Sequence, residues 1–167
     1  PYGTIVELTN INTMSGSASS QTTFDDEAST TIENGSAPYV GSYQPVGPLA
    51  SIDSEEVNGD WNLVIYHSSG CGSEIAAWSL TITYDSNTPD PPPVNPGITY
   101  TGSAFTIAAD NVTTSTLTIP DSGNITDVNI TVSGSEACGL EYLDMTLQSP
   151  YGTIVELTNI NTMSGSA

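Results

Sequence analysis

Not one lysine or arginine occurs in the 167 residues, so nineteen Asp and Glu are opposed only by a single His and the formal net charge is −19. Charged residues are still just 11% of the chain, so what sets it apart is missing cations rather than excess acid. Nucleic-acid binding neutralises phosphates with Lys and Arg, which leaves nucleic acid a very poor partner. Polybasic attachment to anionic lipid is excluded for the same reason. Without Lys there is no Schiff-base chemistry and no Lys–Asn isopeptide cross-link. Without Arg there is no bidentate carboxylate clamp. Side-chain salt bridges all but vanish, so the fold must rest on burial, backbone hydrogen bonds, and any disulfides or bound cations. Trypsin-like proteases find no site, which suits life outside a cell, and a solubility or salt-adaptation origin is an equal alternative. Long apolar runs are absent too: the longest are strand-sized, short of a membrane span, and no signal-peptide pattern is present. The opening Pro1-Tyr2-Gly3-Thr4 reads as mid-domain, so signal and anchor are expected outside this stretch.

What is present is β-forming. The hydrophobic fraction is 37%, with two Trp and eight Tyr, enough for a packed core. Apolar residues alternate with polar ones at Trp61, Leu63 and Ile65, at Trp78, Leu80 and Ile82, at Val128, Ile130 and Val132, and at Leu143, Met145 and Leu147. That period of two marks half-buried strands. The Thr-rich run TTSTLTIP fits the same class, and turn signals at Asp121-Ser122-Gly123-Asn124, Pro150-Tyr151-Gly152 and Asn58-Gly59-Asp60 separate the segments. No stretch has a helical period. The expected fold is an all-β, antiparallel, jelly-roll-like sandwich.

A repeat sets the organisation. The 18-mer PYGTIVELTNINTMSGSA at residues 1–18 recurs unchanged at 150–167, an offset of 149, so the stretch is one period plus an overlap. Residues 85–96, DSNTPDPPPVNP, carry five prolines and almost nothing apolar. This composition favours polyproline II, a semi-rigid spacer of roughly 30 Å. The expected division is therefore 1–84 as the C-terminal part of one sandwich repeat, 85–96 as linker, and 97–167 as the N-terminal part of the next. A single circularly rearranged domain is rejected at this level, because two identical 18-mers would compete for one slot. Thr4–Leu8 or Thr153–Leu157 would then lack a sheet.

Five motifs in order resemble the P domain (P/homo B domain) of proprotein convertases, in its bacterial secreted, tandem-repeat form. In the order of the repeat these are Gly139-Leu-Glu-Tyr-Leu-Asp-Met-Thr-Leu-Gln-Ser-Pro-Tyr-Gly-Thr153, Thr23-Phe-Asp-Asp-Glu-Ala28, Pro38-Tyr-Val-Gly-Ser-Tyr-Gln-Pro-Val-Gly-Pro-Leu49, Asn58-Gly-Asp-Trp-Asn-Leu-Val-Ile-Tyr66 and Ala77-Trp-Ser-Leu-Thr-Ile82. The resemblance implies a jelly-roll sandwich without an active site of its own, an accessory or repeated module in secreted proteins. The chain departs from the family pattern at His67, where relatives carry Asp, and at Ser69-Gly70-Cys71-Gly72, where they carry GD-x-G. Acidic residues there are candidates for calcium ligation in relatives, so that ligand set does not carry over.

Cys71 and Cys138 invite two readings. Cys71 with His67 is a nucleophile–base pair in outline, but no third group or oxyanion hole accompanies it; a disulfide suits a secreted chain better. The family register places both cysteines at loops flanking neighbouring strands. Each is expected to pair with the equivalent cysteine of an adjacent copy, since position 71 advanced by one period falls 82 residues beyond Cys138. Closing a loop of that size is worth roughly 4–5 kcal/mol in the chain-entropy model. Asp25, Asp26 and Glu27 are the candidate Ca²⁺ ligands, against the alternative of a solvated acidic turn; Ca²⁺ needs six to eight oxygens, so further ligands would have to converge. No cofactor is required. Tyr39 and Tyr43 are candidate exposed aromatic contacts, while Trp61 and Trp78 match core positions of the family. Asn34, Asn111, Asn124 and Asn129 stand in N-x-S/T sequons.

These features point to a structural, non-enzymatic repeat of an extracellular bacterial surface fibre or adhesin shaft. Its partners would be neighbouring repeats and, laterally, other copies of itself, with no nucleic acid and no direct membrane contact. Glycan or protein binding by repeat avidity and an accessory role beside a secreted protease are the alternatives.

Overall fold

The computed structural model describes residues 5–6, 20–35, 39–68, 73–85, 97–136 and 143–158. They form a two-sheet β-sandwich. In chain order the strands are β1 (Ile5–Val6), β2 (Ser20–Phe24), β3 (Gly41–Tyr43), β4 (Gly59–His67), β5 (Ser73–Asp85), β6 (Ile98–Gly102), β7 (Phe105–Ile107), β8 (Val112–Ile119), β9 (Asn124–Glu136), β10 (Leu143–Gln148) and β11 (Ile154–Thr158). One sheet runs β1-β11-β10-β4-β8, the other β3-β2-β9-β5-β6, with β7 also on β5. Pairing is antiparallel apart from β1 on β11 and β3 on β2.

The alternation in the sequence is the reason for the layers. Trp61, Leu63 and Ile65 of β4 and Leu143, Met145 and Leu147 of β10 turn one way, and Leu80, Ile82, Ile130 and Val132 meet them from the other sheet. Each side chain of this size contributes about 1.5–3 kcal/mol by leaving water. Two irregularities keep the long strands in phase with the core. A register shift between Ile75 and Ala77 lets Ile75 and Trp78, three apart, both be buried. A second shift, between Thr83 and Tyr84, does the same for Ile125 and Val128. An extra residue in one strand re-aims everything beyond it. Gly102 lies opposite Trp78 on β6, and a Cβ there would fall 2.1 Å from the indole Nε1. The ring therefore lies against bare backbone, its N–H donating to Ser115 Oγ at 3.0 Å.

The segments on either side of the proline-rich stretch fold together in this chain, rather than belonging to successive bodies. β5 pairs with β9 along nearly its whole length, β2 with β9, and β4 with both β8 and β10. Residues 86–96 lie outside the described residues. The described residues that flank them lie on neighbouring strands of one sheet, with Ile82 opposite Ile98. The surplus strand is not left without a sheet either. Ile5 and Val6 lie beside Ile154 and Val155, parallel and in register with their own duplicate.

Candidate functional site

Three surfaces could carry function: the acidic end of the sandwich, the outer faces of the two sheets, and the edge at β11.

The acidic end grows from the turn after β2. Asp25 Oδ1 accepts from the Glu27 N–H at 2.8 Å, folding the turn on itself. Asp26 uses both carboxylate oxygens, Oδ1 accepting from Leu49 N–H at 3.0 Å and Oδ2 from Ala50 N–H at 2.8 Å. These are the free donors at the start of the 3₁₀ turn Leu49–Ile52, so Asp26 caps that turn from a distant loop. Asp53 follows the same turn, and Asp127 enters from β9 across the antiparallel β2–β9 pair. Hydrogen bonding, burial and then mutual repulsion all raise proton affinity here. The Glu27 carboxyl is raised above its ordinary range, chiefly by sharing a hydrogen bond with Asp25. Asp53 is raised by burial and then by Asp127 and Asp26, and Asp127 by burial and then by Asp25 and Asp26. Backbone hydrogen bonds at Glu27 and Val128 pull Glu27 and Asp127 the other way, but with no Lys or Arg in the chain no cationic side chain of that kind opposes the repulsion. Beside them the Asn129 amide donates to Asp127 Oδ2 at 3.1 Å, and its Oδ1 is buried without a hydrogen-bond partner. Among the described residues, no group of three or more His, Cys, Asp or Glu is arranged to hold a metal ion.

The outer face of the β2-β9-β5-β6 sheet is covered with hydroxyls. Thr23, Thr131, Ser79 and Thr101 stand in one row across four strands, and Asn129, Thr81 and Thr99 in the next. Thr23 and Thr131 share a hydrogen bond of 2.9 Å, and Thr81 and Thr99 one of 3.0 Å. The other outer face is more varied, with Asp144, Tyr66 and Val112 side by side on β10, β4 and β8. Tyr66 and Val112 are exposed.

Of the residues singled out in the sequence, Asp25, Asp26 and Glu27 come together, joined by Asp53 and Asp127, which sequence reasoning missed because both arrive from distant segments. Tyr39 is corrected: it is only 1% exposed. It sits at φ 51° and packs edge-on against half-buried Tyr43, ring centroids 5.9 Å apart. Its carbonyl accepts from Thr22 Oγ1 at 2.8 Å. The exposed apolar side chain of that loop is Val40. Trp61 and Trp78 are core residues, and His67 is buried at the end of β4, opposite Leu143. Cys71 and Cys138 lie outside the described residues. Asn34, Asn111 and Asn124 are exposed, Asn129 half-buried. Among the described residues no helix is long and apolar enough to cross a membrane.

No family model, curated protein or solved structure matches the chain.

Proposed function

We propose that this chain is a piece of a secreted structural protein, in which P-domain-like sandwiches repeat every 149 residues to build the shaft of a surface fibre or adhesin. The observation that carries the reading is that one 149-residue offset spans the strands of a single sandwich: residues 20–85 and 97–158 close two packed sheets, and the second 18-mer contributes β11. Supporting it, the described residues of the outer β2-β9-β5-β6 face are largely Thr and Ser, such as Thr23, Thr131, Ser79 and Thr101, as expected of a spacer surface. The lack of Lys and Arg suits exposure to trypsin-like proteases. Such a unit works by being stable and evenly spaced rather than by chemistry. Electron microscopy of a chain carrying several periods tests it. Beaded fibres with one bead per period are expected; aggregated or collapsed particles would refute the reading.

One observation favours a binding module instead: exposed Tyr66 lies between Asp144 and Val112 on the outer face of the β11-β10-β4-β8 sheet. Sugars stack on aromatic rings and hydrogen-bond to neighbouring carboxylates. A glycan screen with Tyr66→Ala as control decides this reading, which falls if binding is absent or insensitive to the substitution.

A further inference from the structure

β8 forms one border of its sheet and, among the described residues, pairs with β4 alone. One bond shows which of its amides stay open. The His67 N–H donates to the Asn111 carbonyl at 3.2 Å, so His67 and Asn111 are a hydrogen-bonded pair and the antiparallel ladder alternates from there. Thr113, Ser115, Leu117 and Ile119 therefore direct their N–H and C=O to β4, opposite Ile65, Leu63, Trp61 and Gly59. Val112, Thr114, Thr116 and Thr118 direct theirs away from the sheet, and their side chains are exposed on its outer face. Such a row is a template for another strand. The usual protections are missing, since no charge, proline or bulge interrupts Val112–Ile119. The other edges are shorter or covered. β3 has three residues and β6 five, while β11 is met by β1 and by the Gly47 N–H, which donates to the Glu156 carbonyl at 3.0 Å.

We infer that β8 is a self-association edge, pairing antiparallel with β8 of a second copy across a two-fold axis at Ser115. The register follows from which amides are open. They lie at 112, 114, 116 and 118, symmetric about 115, so centring the strands there sets Val112 opposite Thr118 and Thr114 opposite Thr116. Each of these is then a hydrogen-bonded pair, and every outward group of the four residues is used in both copies. Sliding by two residues brings Thr118 against Asp110 or Val112 against Pro120, both beyond β8, and proline has no N–H to give. Charge selects the occupant. Nineteen acidic residues face no Lys or Arg, so two copies repel wherever carboxylates would meet, and β8 carries none. An uncharged edge offers a cationic partner nothing. Val112 and Tyr66, exposed side by side on β8 and β4, gain cover from Thr118 of the other copy. The contact is isologous and closes as a dimer. The inference does not rest on the fibre reading, which it would extend by joining shafts side by side and antiparallel.

Sedimentation velocity and hydrogen exchange on the whole chain test it, in about 0.5 M salt, where charge is screened within about 4 Å. A reversible monomer–dimer equilibrium is expected. Raising the concentration should slow exchange of the Val112, Thr114, Thr116 and Thr118 amides at least about ten-fold. Thr113, Ser115 and Leu117, already bonded to β4, should not change. Thr114→Pro removes an outward N–H near the centre of the pairing without touching a β4 bond, and should weaken dimerisation at least about ten-fold. Val112→Asp leaves every amide in place but sets a carboxylate across Thr118 from Asp60 of the other copy, Thr118 Oγ1 donating to Asp60 Oδ1 at 2.6 Å. It should weaken dimerisation more at low salt than at high. A chain that stays monomeric at millimolar concentration overturns the inference. So does a dimer whose exchange slows at other amides instead, or a Thr114→Pro or Val112→Asp chain, folded by circular dichroism, that dimerises like the parent. None of these results bears on microscopy of long arrays, which tests the shaft.

Discussion

Leu80 on β5 and Ile130 on β9 face each other across the pair of strands that joins the two halves of the chain, and both are fully buried. Leu80→Ala removes three buried carbon atoms and should cost about 2–5 kcal/mol, the spread reflecting how far the site collapses. Ile130→Val removes one and should cost about 0.5–1.5 kcal/mol. A sandwich of this size has roughly 5–15 kcal/mol in hand, so both variants, and the double, stay within a measurable range. Directly opposed residues share partners, so the two costs should fail to add, with an interaction of at least about 0.5 kcal/mol. Urea titration followed by tryptophan fluorescence is the assay. Trp61 and Trp78 report from one sheet each, and both lie before the proline-rich segment, whereas Ile130 lies after it. If the halves were independent bodies, Ile130→Val would leave the tryptophan transition unmoved. That result, or additivity within about 0.3 kcal/mol, would refute the reasoning.

Other expectations follow from individual contacts. Glu27, Asp53 and Asp127 all have proton affinities raised in the folded state. Their stabilising contribution is therefore complete at acid pH and lost as pH rises through the raised values, so the melting temperature should climb as pH falls from 7 toward the carboxylate range. Asp127→Asn should stabilise the chain at neutral pH by up to about 0.5 kcal/mol after solvent screening and flatten the pH dependence; unchanged melting curves would contradict the repulsion. Asp26→Ala strips the cap from two backbone donors and should cost about 1–2 kcal/mol in denaturant titrations, Asp26→Asn less. Gly102→Ala puts a methyl into the Trp78 indole and should cost about 1–3 kcal/mol or more, with a shift in tryptophan emission; Ser115→Ala, which orphans the indole N–H, should cost about 1 kcal/mol.

Much of the sandwich was legible because alternation is a local property. Trp61, Leu63 and Ile65 needed only their own spacing to be placed in the core, and the Thr-rich run became β8 as its composition suggests. Partner choice is not local. Nothing in the spacing of residues 97–158 says that they pair with strands before the proline-rich segment, as β9 does with β2 and β5. Steric accounting at the sequence level counted one slot for the duplicated strand; the sheet has another beside it, because an edge strand leaves amides unpaired. Tyr39 misled for a related reason. Its neighbours Pro38, Val40 and Gly41 resemble an exposed loop, but a positive φ turns Tyr39 inward and Val40 out. Asp53 and Asp127 joined the acidic turn only through the β2–β9 pairing, which composition does not announce.

The composition also supplies the most direct test of closure across the proline-rich segment. With no Lys or Arg elsewhere, Asn87→Arg gives trypsin a single site, between positions 87 and 88. After complete cleavage, the two fragments should remain together as one particle of unchanged mass in dilute solution, melting in one cooperative transition. Two separating species, each folded or unfolding on its own, would contradict the account.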